Sequence, residues 1–218
     1  MRLGTWYRYL VMQRLDLSSA RGKVLDIGCY DGFFLSTLDA EEKTGIDLSP
    51  CPVYPGIKYI NGDFLKYDFK TSDFDCIYAF DVLEHVSDDS SFIKKMLFLL
   101  KPQGKAVISV PGKNISIFPS PAQPWVDRRW DHIYRRGYDQ QGLQALVEAA
   151  GPGFDLRLVC WEGLCFRRFY ILLSLLWRIC RPLAKIILKI MVGRETTEYN
   201  GDQGFLFAVI SAKQKGEK

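Results

Sequence analysis

The sequence contains no C-x-x-C pair, no internal repeat, no low-complexity tract and only two histidines, His85 and His132. It also lacks an uninterrupted apolar run of the roughly 20 residues that a membrane crossing needs. Without paired spacing, the six cysteines (Cys29, Cys51, Cys76, Cys160, Cys165 and Cys180) read as reduced, largely buried thiols rather than a disulfide framework, which suits a reducing cytoplasm. Arg2, Arg8 and Arg14 interrupt the apolar residues of the first sixteen positions, so that segment does not read as a secretory signal. Lys and Arg exceed Asp and Glu by 29 to 25, too small a surplus to argue for nucleic acid as a partner. What is present, 48% apolar and 25% charged residues over 218 positions, describes one globular domain over residues 1–212 with a short tail over 213–218.

Short apolar runs alternate with helix-like stretches after an amphipathic first segment carrying Trp6, Tyr7, Leu10, Val11 and Leu15. Strands are expected at 23–28, 43–48, 57–60, 74–80 and 104–110, several of them apolar on both faces as in a parallel sheet. Covering helices are expected at 33–38, 88–100 and 139–150, and two further strands at 154–161 and 204–212. Pro50, Pro52 and Pro55 crowd the link between the second and third strands, so no helix is expected there. The stretch from Pro111 to Arg136 reads as a long loop beyond a strand's carboxyl end, where open α/β sheets bind ligands.

The residues with chemical promise fall at successive strand ends. Asp26-Ile27-Gly28-Cys29-Tyr30-Asp31-Gly32 runs from a buried strand through a glycine turn into a helix, which lets backbone amides approach a ligand closely. Asp47 ends the second strand, where a carboxylate can take two ribose hydroxyls, and Leu48 follows it. Asn61-Gly62-Asp63-Phe64 follows the third strand, and Phe80-Asp81-Val82-Leu83-Glu84-His85-Val86 follows the fourth. Any one of these is a weak signal and has a plain structural explanation as a turn or a solvated strand end. Their order along the chain is the informative feature. A dinucleotide dehydrogenase would want G-x-G-x-x-G, whereas three non-glycine residues separate Gly28 from Gly32.

Taken together, these motifs resemble the class I S-adenosylmethionine-dependent methyltransferases, in particular small-molecule enzymes with a D-x-L-E-H-V segment after the fourth strand. The resemblance implies a Rossmann-like α/β fold: seven strands, helices on both faces and an antiparallel last strand. It implies that Asp26, Gly28, Cys29, Tyr30 and Gly32 shape the methionine end of the cofactor pocket. Asp47 and Leu48 would then hold the ribose side, Asp63 and Phe64 the adenine, and Phe80 and Asp81 the sulfonium. Two departures stand out: Tyr30 occupies a position where the family usually has glycine, and the link after Asp47 is short.

Methyl transfer to a hydroxyl needs an aligned acceptor and a base, for which His85 and His132 are the catalytic candidates. Either imidazole could instead brace its own segment by hydrogen bonding. Asp81, Glu84, His85 and His132 resemble acid-x-x-Glu-His sets that hold a divalent metal in some related enzymes, but Asp replaces the usual first Glu and no metal is expected. The basic residues Arg167, Arg178, Arg181, Lys185 and Lys189 recur at helical spacing within 166–192, giving a basic amphipathic segment inserted before the last strand and kinked or split at Pro182. Such a segment suits the surface of an anionic membrane and a small or lipid-linked acceptor; packing on the domain or in a dimer is the structural alternative. An RNA methyltransferase, drawing on Arg128, Arg129, Arg135 and Arg136, and a non-catalytic membrane adaptor remain rival readings.

Overall fold

The computed structural model describes residues 1–128 in full, the backbone of 129 and 130, and residues 137–212. Val24, Leu25 and Ile27 in β1 (Lys23–Ile27) and Cys76, Ile77 and Ala79 in β4 (Phe74–Phe80) are buried on both sides, as the central strands of a parallel sheet require. They pair in parallel with each other and with β2 (Glu42–Asp47) and β5 (Leu100–Pro111), and β3 (Ile57–Asn61) pairs with β2. β7 (Phe205–Ala212) runs antiparallel to both β5 and β6 (Phe154–Trp161). The resulting seven-stranded order is β3-β2-β1-β4-β5-β7-β6. This is the Rossmann-like sheet the sequence implies, and its order reverses between β1 and β4, where such sheets open a crevice at their carboxyl ends.

Alternation along the strands sends side chains into two separate cores. Val24, Tyr78 and Val107 face one layer, packed under α1 (Leu3–Arg14), α2 (Phe33–Ser36), α6 (Leu164–Ile179) and α7 (Arg181–Arg194). Leu25, Ile77 and Ile108 face the other, under α3 (Asp89–Phe98) and α5 (Gln140–Glu148). Both helices of that second layer start on an aspartate cap: Asp88 accepts from the Ser91 amide at 2.9 Å and Asp139 from the Gly142 amide at 2.7 Å. No helix joins β2 to β3, in keeping with the three prolines there.

One segment differs from the expectations, and a second is split beside Pro182 as expected. Part of the expected 111–136 loop is helical: α4 (Gln123–Trp130) forms with Pro124 in its first turn, where a missing N–H costs nothing, and Val126 buried beneath it. The 166–192 segment is two helices, α6 and α7, separated at Cys180 (φ −144°, ψ 84°), with Pro182 in the first turn of α7. The Cys165 amide at the start of α6 donates to the Glu195 carboxylate just past α7, at 2.9 Å, so the pair forms an antiparallel hairpin.

That hairpin is held by its inner face. Tyr7 of α1 stacks on Phe166 with ring centres 3.8 Å apart, and its hydroxyl accepts from the Trp161 indole N–H at 2.7 Å. Trp161, Tyr7 and Phe166 are all buried, and each such side chain contributes roughly 1.5–3 kcal/mol. Arg167 also lies inside rather than on the basic face assigned from helical spacing. Its guanidinium donates to the carbonyls of Glu162 (3.0 Å) and Ser116 (3.1 Å), tying α6 to the segment after β5. Tyr170 is buried beside it.

Candidate active site

The crevice is built by the carboxyl ends of β1, β2, β3 and β4. After β1 the chain turns through Gly28 (φ 77°), Tyr30 (φ 46°) and Gly32 (φ 75°), three left-handed residues within five positions. Two of the three are glycine because a side chain has no room. A Cβ on Gly28 would collide with Val82 beyond β4, and one on Gly32 with the Tyr59 hydroxyl of β3. Tyr30 accepts its unfavourable backbone for a compensation visible in the structure: its amide donates to Asp47 Oδ2 at 3.0 Å, and the Arg2 guanidinium lies 3.9 Å from its ring centre.

Asp47 links two loops. Its Oδ2 takes the Tyr30 amide and its Oδ1 takes the Ser49 amide at 2.8 Å, so this one carboxylate fixes the ends of β1 and β2 relative to each other. Leu48 beside it is exposed. Asp26, inside β1, is buried; burial first, and the charge of Asp47 second, push its carboxyl well above the ordinary range. Cys29 is buried next to Gly45, and burial likewise pushes its thiol up.

After β3, Asp63 accepts from the Leu65 amide at 2.8 Å and lies 3.5 Å from Lys66. Phe64 is turned inward, packed on Phe92 (4.9 Å between centres) and Phe69 (5.8 Å) in the α3-side core. Lys95 holds this loop down by donating to the carbonyls of Leu65 (2.9 Å) and Tyr67 (2.7 Å). After β4, Phe80 meets Phe34 edge to face at 4.7 Å. Asp81 (φ 49°) accepts from the Ser109 hydroxyl at 3.1 Å. His85 closes a short 3-10 turn, Leu83–His85, with Nε2 4.0 Å from Glu84 Oε1. His132 lies outside the described residues, as do Arg135 and Arg136.

Two participants, Arg8 and the Met1 amino group, gave no local signal in the sequence. Arg8 of α1 forms an ion pair with Asp81, and the Met1 amino group forms one with the buried Asp31. Asp31 also accepts the Phe33 amide at 3.1 Å, an Asx turn that opens α2. Glu84 is buried with Oε2 lacking a hydrogen-bond partner, and burial, then the charge of Asp81, raise its carboxyl well above the usual value. One cation from α1 and one from Met1 ahead of it therefore rest on two acids at the β4 and β1 ends. The carboxylates of Asp47 and Asp63 suit a ligand's hydroxyl and amino donors. S-adenosylmethionine offers such donors in its ribose hydroxyls and its amino groups. Among the described residues no group of three or more His, Cys, Asp or Glu is placed to hold a metal.

The methyltransferase-domain family matches residues 5–154, more than half of the chain. A "probable S-adenosylmethionine-dependent methyltransferase" of Mycolicibacterium smegmatis is 26% identical over 168 residues, covering 72% of this chain and 63% of its own length. A ubiquinone biosynthesis O-methyltransferase of Xanthomonas oryzae is 31% identical over 121 residues, covering 50% of each chain. In fold, the chain is similar to a phosphoethanolamine N-methyltransferase 2 of Haemonchus contortus solved with S-adenosyl-L-methionine. The TM-score is 0.65 at 16% identity, over 96% of this chain and 53% of that one. The chain thus spans between half and two thirds of the length of each of these proteins.

Proposed function

Because the chain belongs to the class I S-adenosylmethionine-dependent methyltransferases, we propose that it transfers the cofactor's methyl to an oxygen of a small or lipid-linked acceptor at a membrane surface. The observation that carries the proposal is the gathering of Asp26, Gly28, Gly32, Asp47, Asp63 and Asp81 around the carboxyl ends of four neighbouring parallel strands, at the point where the strand order reverses. The bound cofactor would supply an electrophilic methyl on a positively charged sulfur.

This chain's residues supply position and charge. Asp47 takes the ribose hydroxyls, with exposed Leu48 beside it, and Asp63 borders the adenine. Gly28, Cys29, Tyr30 and Gly32 give backbone access to the methionine end, with Asp26 beneath them. Phe80 and Asp81 flank the transferring group, and His85 accepts the acceptor's hydroxyl proton at its imidazole. His132 is the second candidate base.

Support for the membrane setting comes from the α6–α7 hairpin. Gly163 to Arg194 contains seven basic residues and no acidic one. Its outer face leaves Leu172, Leu175, Ile179 and Ile186 exposed, while no described helix is long and apolar enough to cross a bilayer. The test is to incubate the protein with methyl-tritiated S-adenosylmethionine and a crude lipid extract. Label partitioning into the organic phase, and lost with Asp81→Asn, is the expected result. Label confined to water-soluble amines would overturn the lipid-linked oxygen acceptor. No transfer at all by protein that binds S-adenosylhomocysteine would overturn the catalytic reading.

A further inference from the structure

The α6–α7 hairpin encloses a groove of about 300 Å³ lined by Phe169, Leu172 and Leu176 on α6 and Ile187 and Met191 on α7, with Cys165 at one end. We propose that this groove is a binding site for one hydrocarbon chain of an anionic amphiphile. It rests on the reading that the hairpin meets a membrane, from which the chain would be drawn.

Shape and charge both select that occupant. The volume sits at the lower limit of small-molecule pockets, and an α-helix of 10–12 Å diameter is too wide to enter a slot between two helices already in contact, whereas a single alkyl chain is thin enough. Every wall is apolar, so a chain gains burial without stranding a polar group, at about 0.8 kcal/mol for each methylene removed from water. The groove opens onto a face that is itself apolar: Leu172 is 63% exposed and Ile179 83%. Along the hairpin run Arg168, Arg178, Arg181 and Lys189, all exposed, with no acid among them. A second copy docked through the same surface would set like charge against like charge, because a two-fold interface pairs a patch with itself. An anionic headgroup instead completes the pattern: its chain in the groove, its charge on the basic rim.

The hairpin that carries the groove also touches α1. Lys185 of α7 lies 4.5 Å from the Trp6 ring of α1, and Trp6 packs on Phe33 of α2, immediately after the glycine turn.

The experiment is a fluorescence titration of the full chain with 11-(dansylamino)undecanoic acid, alongside sedimentation with phosphatidylglycerol vesicles and calorimetry with S-adenosylhomocysteine. The expected result is a saturable emission increase, displaced by hexadecanoic acid and weakened at least about tenfold in Met191→Trp, which fills the groove, with S-adenosylhomocysteine affinity unchanged. Ile187→Ala, which enlarges the groove, provides a second variant and should alter chain-length preference toward bulkier tails. Emission that never saturates, or saturates equally in both variants, would overturn the proposal. So would a dimer that dissociates on Met191→Trp. Saturable probe binding without vesicle sedimentation would keep the groove and remove the membrane setting, so the two readings fail separately.

Discussion

Arg8 of the first helix forms an ion pair with Asp81 at the end of the fourth strand, 73 positions away, across the mouth of the crevice. Both side chains are largely screened from solvent, at 14% and 28% exposure, and the charge of Asp81 also acts on the buried Glu84. The pair thus fastens α1 over the site and neutralises an acid that the site needs.

Removing that fastening has a measurable cost. Arg8→Gln leaves Asp81 without its cation, a loss of about 1–2 kcal/mol for a pair between surface and interior. In a domain of this size that lowers Tm by roughly 3–6 °C, readable by calorimetry at neutral pH. An unchanged Tm would show that α1 is held by its apolar face alone.

The crevice was legible in the sequence because its parts are local. Gly28, Gly32 and Asp47 each sit at a strand end that apolar runs already mark, and β4 and β6 occupy the expected residues, 74–80 and 154–161. Tyr30 was legible as an anomaly, but its resolution was not: the left-handed backbone is held by Asp47 and Arg2, contacts that only the folded chain makes. Arg8, 73 residues from its partner, gave no periodic or motif signal. Helical spacing put Arg167 on a solvated basic face, whereas carbonyls of Glu162 and Ser116 draw it inside, because a charge can be buried when fixed acceptors replace water. The residue types of Asp63 and Phe64 were legible; that the Phe64 ring turns into the α3 core was decided by packing against Phe92.

Glu84 is one of the buried acids, with Asp26, that make stability depend on pH. Its folded carboxyl titrates above the ordinary value of 4.5, so the folded state holds a proton that the unfolded state releases. Its contribution to stability is therefore lost as pH rises from about 4.5 through the raised value. Glu84→Gln removes this loss, and its Tm advantage over the parent protein should grow with pH across that window. A constant difference would mean that Glu84 titrates alike in the folded and unfolded states.

Gly32→Ala forces a side chain onto a residue at φ 75° and against the Tyr59 hydroxyl. A destabilisation of at least about 1–2 kcal/mol is expected from the backbone alone. Tyr59→Phe in the same chain removes the nearest clashing atom, so the double variant should be more stable than the sum of the single effects predicts. Strict additivity in urea unfolding would place the clash elsewhere.

The thiols should divide by burial. Cys51 is exposed, while Cys29, Cys76 and Cys160 are buried, and burial pushes the Cys76 thiol up to about 11. Alkylation at pH 8 followed by mass spectrometry should find Cys51 modified in the folded protein and the three buried thiols modified only in denaturant. Early labelling of Cys29 would mean that the glycine turn opens readily.

The central claim is that the acids and glycines at four strand ends form one cofactor pocket, and calorimetric titration with S-adenosylhomocysteine tests it most directly, on the parent chain and on Asp47→Ala. The account predicts saturable binding to the parent and affinity weakened at least about tenfold by Asp47→Ala, with unchanged far-UV circular dichroism. Folded parent protein that shows no binding, or a variant that binds as tightly, would contradict it.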